Sequence, residues 1–488
     1  MTTFRSIVAI LVLAFGAAAP ARAIVGYPDP SFGSGGAQWV RLGDQEGYEY
    51  LQAVAALPDG RIVVMGNPYP SSEIGVARRL PDGAPDPSFG NGLGKFVVTA
   101  AAHGYDGYFA GYAMALQPDG KIVVAGRFGP GIVGPAEANR FLVLRVLADG
   151  SALDRSFGDH GIVMLPMTAY GADNHARAVV VQPDGKILVA GAELDQPNDS
   201  DMLVMRLLSN GAPDDTFGSH GRRTIGFDFT GTAARRHDVA RTLALQPDGK
   251  IVVAGASHTA AEGSYAAVAR LTADGNLDPL FGTYATGRTR FRFGSNDINV
   301  VFASAFSSLP TDTQHNSWRI VLAGWTHLTQ GDSSFAVAVL DDAGKLDPTF
   351  DDDGKLAIMF NAPSDHTYAQ DDAQAVAIES GWRRVASPLG GSLVVPYRKI
   401  IVAGNSHRGT YQAAALARVG FDGALDDSFG FGGKSVYSPQ YSAGGVPFYC
   451  HTQSHSIAKQ GARLIVGSSC GAAGSPDAVS IGRILLQQ

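Results

Sequence analysis

The sequence predicts an all-β fold, a seven-bladed β-propeller of four-stranded blades with one-plus-three ring closure, and three observations carry that expectation. The ten residues QPDGKIVVAG occur identically at 117–126 and 246–255, with looser copies at 57–66 and 182–191. A second signature, an LDxSFG-like segment, places Phe32, Phe89, Phe157, Phe217, Phe281, Phe350 and Phe429 at recurring intervals long enough for four strands each. The two series are out of phase: the chain opens on the end of a unit (PDPSFGSGGAQWVRL) and finishes in the middle of one (AVSIGRILLQQ).

The elements follow in chain order. Residues 1–23 pair a short n-region carrying Arg5 with an apolar stretch from Ile7 to Ala19 and a small-x-small end at Ala21–Arg22–Ala23. That is the pattern of a signal peptide cleaved before Ile24, and the apolar run is too short to span a bilayer. Residues 24–488 form a single propeller domain. Each unit begins with an innermost strand ending at the PDG turn, such as the AMAL at Ala113 or the TLAL at Thr242. The Pro-Asp-Gly turn then reverses the chain into IVVAG, since Pro needs no donor there and Gly accepts the left-handed turn conformation. A variable loop, a strand ending near Arg-Leu, a second Asp-Gly turn and the LDxSFG segment complete the unit. Closure follows from the phase shift: Ala37 to Leu42 supplies the strand missing from Val479 to Leu486, which satisfies otherwise open edges.

The combination of QPDGKIVVAG with ARLxxDGxLDxSFGxxGK resembles the delta-60 repeat family of exported bacterial β-propellers over all of residues 24–488. The resemblance implies a propeller fold and a secreted or periplasmic location, and no particular reaction. Two units depart from the pattern, through WRIVLAG in the fifth and an insertion near Gly381 to Arg398 in the sixth.

Composition narrows the partners. Charged residues are only 17 %, glycines number 61 and the net charge is −7. Without a basic run there is no footprint for nucleic acid, none for a membrane surface, and no later segment is long enough for a membrane span. Cys450 and Cys470 are the two cysteines, and export favours a disulfide between them. The chain is expected to be a monomer.

Candidate sites lie where the copies differ. The residues just before the inner strands, Gln52, Tyr112, Arg177, Arg241, Gln374 and His455, are varied and mostly polar, and are expected to rim the channel; the fifth unit offers no clear equivalent. Arg177 and Arg241 beside Tyr112 and His455 suit a glycan or small anionic ligand held by bidentate hydrogen bonds and stacking. His258, His327 and His407 recur in the loop after the second strand, too far apart along an arc to share one zinc ion. The sevenfold Asp29, Asp86, Asp154, Asp214, Asp278, Asp347 and Asp426 read as turn and packing devices, partnered by an Arg in every unit except the fifth, where Val339 stands. Asp351–Asp353 lack the Glu of a calcium loop, and the GSSCG at 467–471 lacks the context of a nucleophile elbow. No cofactor is expected, with Ca or Zn as the ions to test. The preferred reading is a binding module for a glycan, anionic small molecule or protein. The alternatives are a propeller-type lyase or hydrolase using His455, with or without a divalent cation, and a cell-surface structural protein.

Overall fold

In a computed structural model of the chain, the described residues are 25–487 except 45–46, 70–72, 131–138, 166, 168–174, 197–198, 230–235, 260–261, 283–285, 295–298, 309–317, 330–331, 361–369, 387–391, 409–410, 438–439, 444–445, 450–452 and 471–477. The expected signal peptide and Cys450 lie outside them.

The chain is all-β. Stretches 48–99, 107–165, 175–225, 237–291, 299–358 and 371–437 each fold into a four-stranded antiparallel meander. The third and fourth are joined into one larger sheet by a single parallel bridge, Ser200 to His237. A further four-stranded sheet combines Gln453–Gln460, Arg463–Cys470 and Ala478–Leu485 with the early strand Ala37–Val40. Its register pairs Ala37 with Gly482 and Val40 with Val479, close to the pairing expected from the phase of the repeats. Each innermost strand packs against the innermost strands before and after it in sequence, and the last, Gln453–Gln460, packs against the first, Tyr48–Ala56. Among the described residues no helix is long and apolar enough to cross a membrane.

Alternating apolar residues of the middle strands fill the spaces between sheets. Val63, Met65, Ile74 and Val76 of the first meander pack with Ile122, Val124, Leu142 and Leu144 of the second. At the foot of each interface a repeated latch adds direction. Arg145 donates Nε to Asp154 (2.8 Å), one terminal nitrogen to the Ser209 carbonyl of the following meander (2.5 Å) and the other to Ser156 Oγ (3.1 Å). Its guanidinium lies 4.5 Å from the centroid of the Phe157 ring. Arg78, Arg206, Arg270, Arg418 and Arg483 each pair with the corresponding Asp and reach a carbonyl beyond their own meander, on Ala148, Ala273, Asp342, Leu486 and Pro81, although Leu280 removes the hydroxyl acceptor from the Arg270 latch. In the fifth meander, where Val339 replaces the Arg, Arg319 of the preceding strand bonds Asp347 instead. The aspartates are therefore packing devices.

Their charge state has a consequence for stability. Burial opposes ionisation of Asp86, but the amide and hydroxyl of Ser88 and the Arg78 guanidinium outweigh it and hold the carboxyl at about 2. Asp154 and Asp214 are displaced in the same direction against the same burial. A carboxyl depressed on folding stabilises the native state above its unfolded pKa, about 3.9, and loses that contribution as pH falls through its folded value. An acid titration followed by tryptophan fluorescence is expected to show stability holding to about pH 5 and declining between about pH 4 and 2. A loss centred near pH 6 would contradict the assignment.

Candidate functional site

Each inner strand carries one irregularity, and the repeated motif explains its position. Strand register skips a residue between Leu51 and Ala53, Gly111 and Ala113, Ala176 and Ala178, Ala240 and Thr242, Val301 and Ala303, Ala373 and Ala375, and Ser454 and Ser456. The extra residue is Gln52, Tyr112, Arg177, Arg241, Phe302, Gln374 and His455 in turn. A bulge leaves its extra residue outside the ladder and re-aims the side chain. The sequence placed these residues, Phe302 apart, just ahead of their strands. They lie inside them, because the inner strands begin earlier, at Tyr48 and Gly107 for example.

The partner of the bulge is the last Gly of IVVAG. A Cβ on Gly126 would stand 1.9 Å from the Ala110 carbonyl oxygen, and one on Gly255 2.0 Å from that of Val239. Neither glycine is there for a left-handed backbone; each admits the carbonyl that the bulge turns toward it. Gly66, Gly191, Gly324 and Gly404 face the same obstacle. Gly255→Ala is expected to force the strands apart and destabilise the fold by about 1–3 kcal/mol, measured by urea unfolding. Gly294→Ala, where an added Cβ meets nothing nearer than 3.7 Å and the backbone is not left-handed, is the control for replacing a glycine.

Four consecutive bulges form a continuous arc. Arg177 lies over the Tyr112 ring, 5.7 Å from its centroid, and Arg241 over Phe302 at 4.6 Å. Tyr112 also meets His175 at a ring separation of 5.4 Å. Beneath the arc, the hydroxyls of Thr242 and Ser304 are 2.9 Å apart. Burial, reinforced by the like charge of Arg177, lowers the Arg241 pKa to about 10. Its buried Nε makes no hydrogen bond to the described residues. Burial pushes the Tyr112 phenol up against the opposing pull of Arg127 and Arg177. The arc therefore holds two neighbouring cations between two aromatic faces, an arrangement that an oxyanion would relieve by accepting from both guanidiniums.

The remaining ring residues differ. Gln374 donates to Asp372 at 2.6 Å, which fixes its amide. Gln52 is half-buried at the first bulge. His455 occupies the last bulge, and its side chain lies outside the described residues, as do those of His407 and Cys470. His258 is exposed and meets Ser264 Oγ at 2.9 Å, while His327 meets Trp325 at a ring separation of 5.0 Å with the rings tilted by 45°. They sit on different meanders. Among the described residues, no three His, Cys, Asp or Glu side chains are grouped to hold a metal ion. Asp351–Asp353 form a turn in which Asp353 accepts from the Lys355 amide. The GSSCG stretch begins within strand Arg463–Cys470, where Ser469 Oγ accepts from the Leu51 amide, so it makes no elbow.

Phe302 is the ring residue that the sequence reading missed. Its signal was the position alone, because the residue at that place in VFASAF is apolar where the other units carry a polar one or a tyrosine. The same alignment exposes buried acids three residues before the bulge: Glu49, Asp238 and Asp371 accept backbone N–H groups of Leu42, Phe227 and Phe360 and tie down the incoming chain.

Meanders, latches and the packing of inner strands on one another define the chain as a β-propeller protein. Five segments, residues 57–89, 117–157, 182–217, 246–281 and 398–429, match the family described as "Domain of unknown function (DUF5122) beta-propeller". Every matched segment begins after the bulge and ends at the latch Phe, so the matched repeat leaves out the bulged residues. No curated protein matches the chain. Similar solved structures include a protein of unknown function from Dyadobacter fermentans DSM 18053, with 12 % identity, 93 % of this chain and 100 % of that one covered, and a TM-score of 0.40. Another is the polysaccharide lyase Uly1, with 10 % identity, 92 % and 94 % covered, and a TM-score of 0.41.

Proposed function

We propose that the chain is an exported seven-bladed propeller of delta-60 type, closed one-plus-three, that binds a small anionic ligand or anionic glycan at the mouth of its channel. The observation that carries this reading is the pairing of Arg177 and Arg241 on neighbouring bulges, each against an aromatic ring and with their charges opposing one another. A carboxylate set between them gains two charge-assisted contacts, and the Tyr112 and Phe302 rings offer apolar faces to the body of the ligand. The ring closure rests on the strand Ala37–Val40 beside Ala478–Leu485. Export rests on the leader pattern of residues 1–23 and would allow Cys450 and Cys470 to bridge.

A thermal-shift panel of mono- and oligosaccharides with and without carboxylates, each run with Ca²⁺, Zn²⁺ or EDTA, tests the reading. Stabilisation by the acidic members alone, insensitive to EDTA, is expected. Stabilisation that requires a metal and disappears in His455→Ala would favour the enzyme alternative, and equal stabilisation by neutral sugars would remove the role assigned to the arginines.

A further inference from the structure

In the sixth meander, strands Asp371–Ala386 and Ser392–Arg408 continue past the sheet as a two-stranded ribbon. Their pairing runs from Glu379 with Lys399 out to Ala386 with Ser392, whereas the third strand joins only from Ile400 inward. An isolated two-stranded ribbon is marginally stable in water, and this one is anchored at its base. Glu379, almost fully buried, accepts from Tyr397 Oη at 2.9 Å, from Arg418 at 3.2 Å and from Gln487 at 3.1 Å. Burial and the neighbouring Glu379 carboxylate push the Tyr397 phenol up to about 12, so it stays a donor.

Outward from that anchor the residues are sorted by chemistry. Arg383 and Arg384 are exposed, and Trp382, paired with Pro396, is 72 % exposed. Val394, across from Arg384, is 57 % exposed, Leu393, one pair further out, is 50 % exposed, and the sequence from Val385 to Val395 contains no charged residue. Residues paired directly across a ribbon share a face, so Arg384 with Val394 lies on one face and Arg383 with Val395 on the other. Both faces therefore carry an arginine and an aliphatic side chain. From the Trp382 pair to the Ala386 pair is four residues, roughly 13 Å of strand.

We propose that this ribbon docks on the surface of an anionic lipid bilayer, with Leu393, Val394 and Val395 entering the interface while Trp382, Arg383 and Arg384 rest at the headgroups. Tryptophan concentrates at the membrane–water boundary, and each arginine near an anionic surface adds about 1 kcal/mol of attraction. A protein partner would cover one face of the ribbon, whereas lipid surrounds both, which is what apolar side chains on both faces require. No acid lies between Ser380 and Lys399, so the local charge is opposite to the net charge of the chain, and the ribbon supplies the membrane-surface footprint that the composition of the whole chain does not show.

The test is co-sedimentation of the purified chain with vesicles of phosphatidylcholine alone or mixed with phosphatidylglycerol, alongside tryptophan emission. Binding to the mixed vesicles, a blue shift in emission and weakening by salt are expected. Leu393→Asp/Val394→Asp should reduce binding by about tenfold or more, and Arg383→Gln/Arg384→Gln should remove the preference for phosphatidylglycerol. These positions are exposed, so unchanged thermal unfolding should accompany both effects. Because every variant shares the same N-terminus, any contribution from residues 1–23 cancels. Equal binding by wild type and the Asp variant would overturn the proposal. So would an absence of vesicle binding with self-association in sedimentation velocity that the Asp substitutions abolish, since the ribbon would then be an interface between copies of the chain.

Discussion

Deleting residues 24–42 is expected to remove cooperative folding or leave a protein that melts far below the full chain. The deletion takes away Phe32, Val40 and Leu42, all fully buried, each worth about 1.5–3 kcal/mol of apolar burial. It also removes Asp29, whose carboxylate accepts from Arg483 at 2.9 Å and pairs with Arg463 at 3.0 Å. Arg483 is nearly fully buried, and stranding such a charge costs about 3–5 kcal/mol. Those losses together rival a typical total stability of about 5–15 kcal/mol, and the deletion bares the edge of Ala478–Leu485 to aggregation. Urea unfolding checks the result, and a synthetic peptide of residues 24–42 added in trans should restore part of the lost stability. A deleted chain with an unchanged midpoint would refute the closure.

Arg145→Ala is expected to destabilise the fold by about 3–5 kcal/mol, because it leaves buried Asp154 without its closest cation and Ser209 O without its donor. Lys121, 3.1 Å from Asp154, limits the damage to that carboxylate. Arg145→Lys should recover little, since an ammonium cannot reach Asp154, Ser156 and Ser209 at once as the planar fork does. The effect should appear as a lower denaturation midpoint with an unchanged slope. A change below about 0.5 kcal/mol would mean that the latch is ornamental to stability.

What could be read from the chain follows its physics. Turns, latches and the pairing of Ala37–Val40 with Ala478–Leu485 were legible because each depends on short-range chemistry repeated in register: Pro-Asp-Gly at the hairpin, Asp ahead of Ser-Phe, Arg before the second turn. The ring positions were legible as places of variation. Their nature as bulges was not, because one extra residue in a strand leaves the local apolar pattern almost intact and shows only when the partner strand is paired. Phe302 was lost for the same reason. The second half of each latch was hidden too, since Ser209 O lies far from Arg145 in sequence and a carbonyl has no residue signature. The ribbon looked like an inserted loop, and its Val, Leu and Pro residues gave no reason to extend two strands beyond the sheet.

In the proposed function the repeated QPDGKIVVAG supplies the frame, and the bulged residue that follows the partner of its final Gly supplies recognition. Calorimetric titration with an oligogalacturonate and a neutral galacto-oligosaccharide of equal length, on wild type and on Arg177→Gln/Arg241→Gln, tests that division most directly. Binding of the acidic ligand alone is predicted, with at least a tenfold loss in the double variant and no loss of thermal stability. Equal affinity of the variant and wild type, or preference for the neutral ligand, would contradict it.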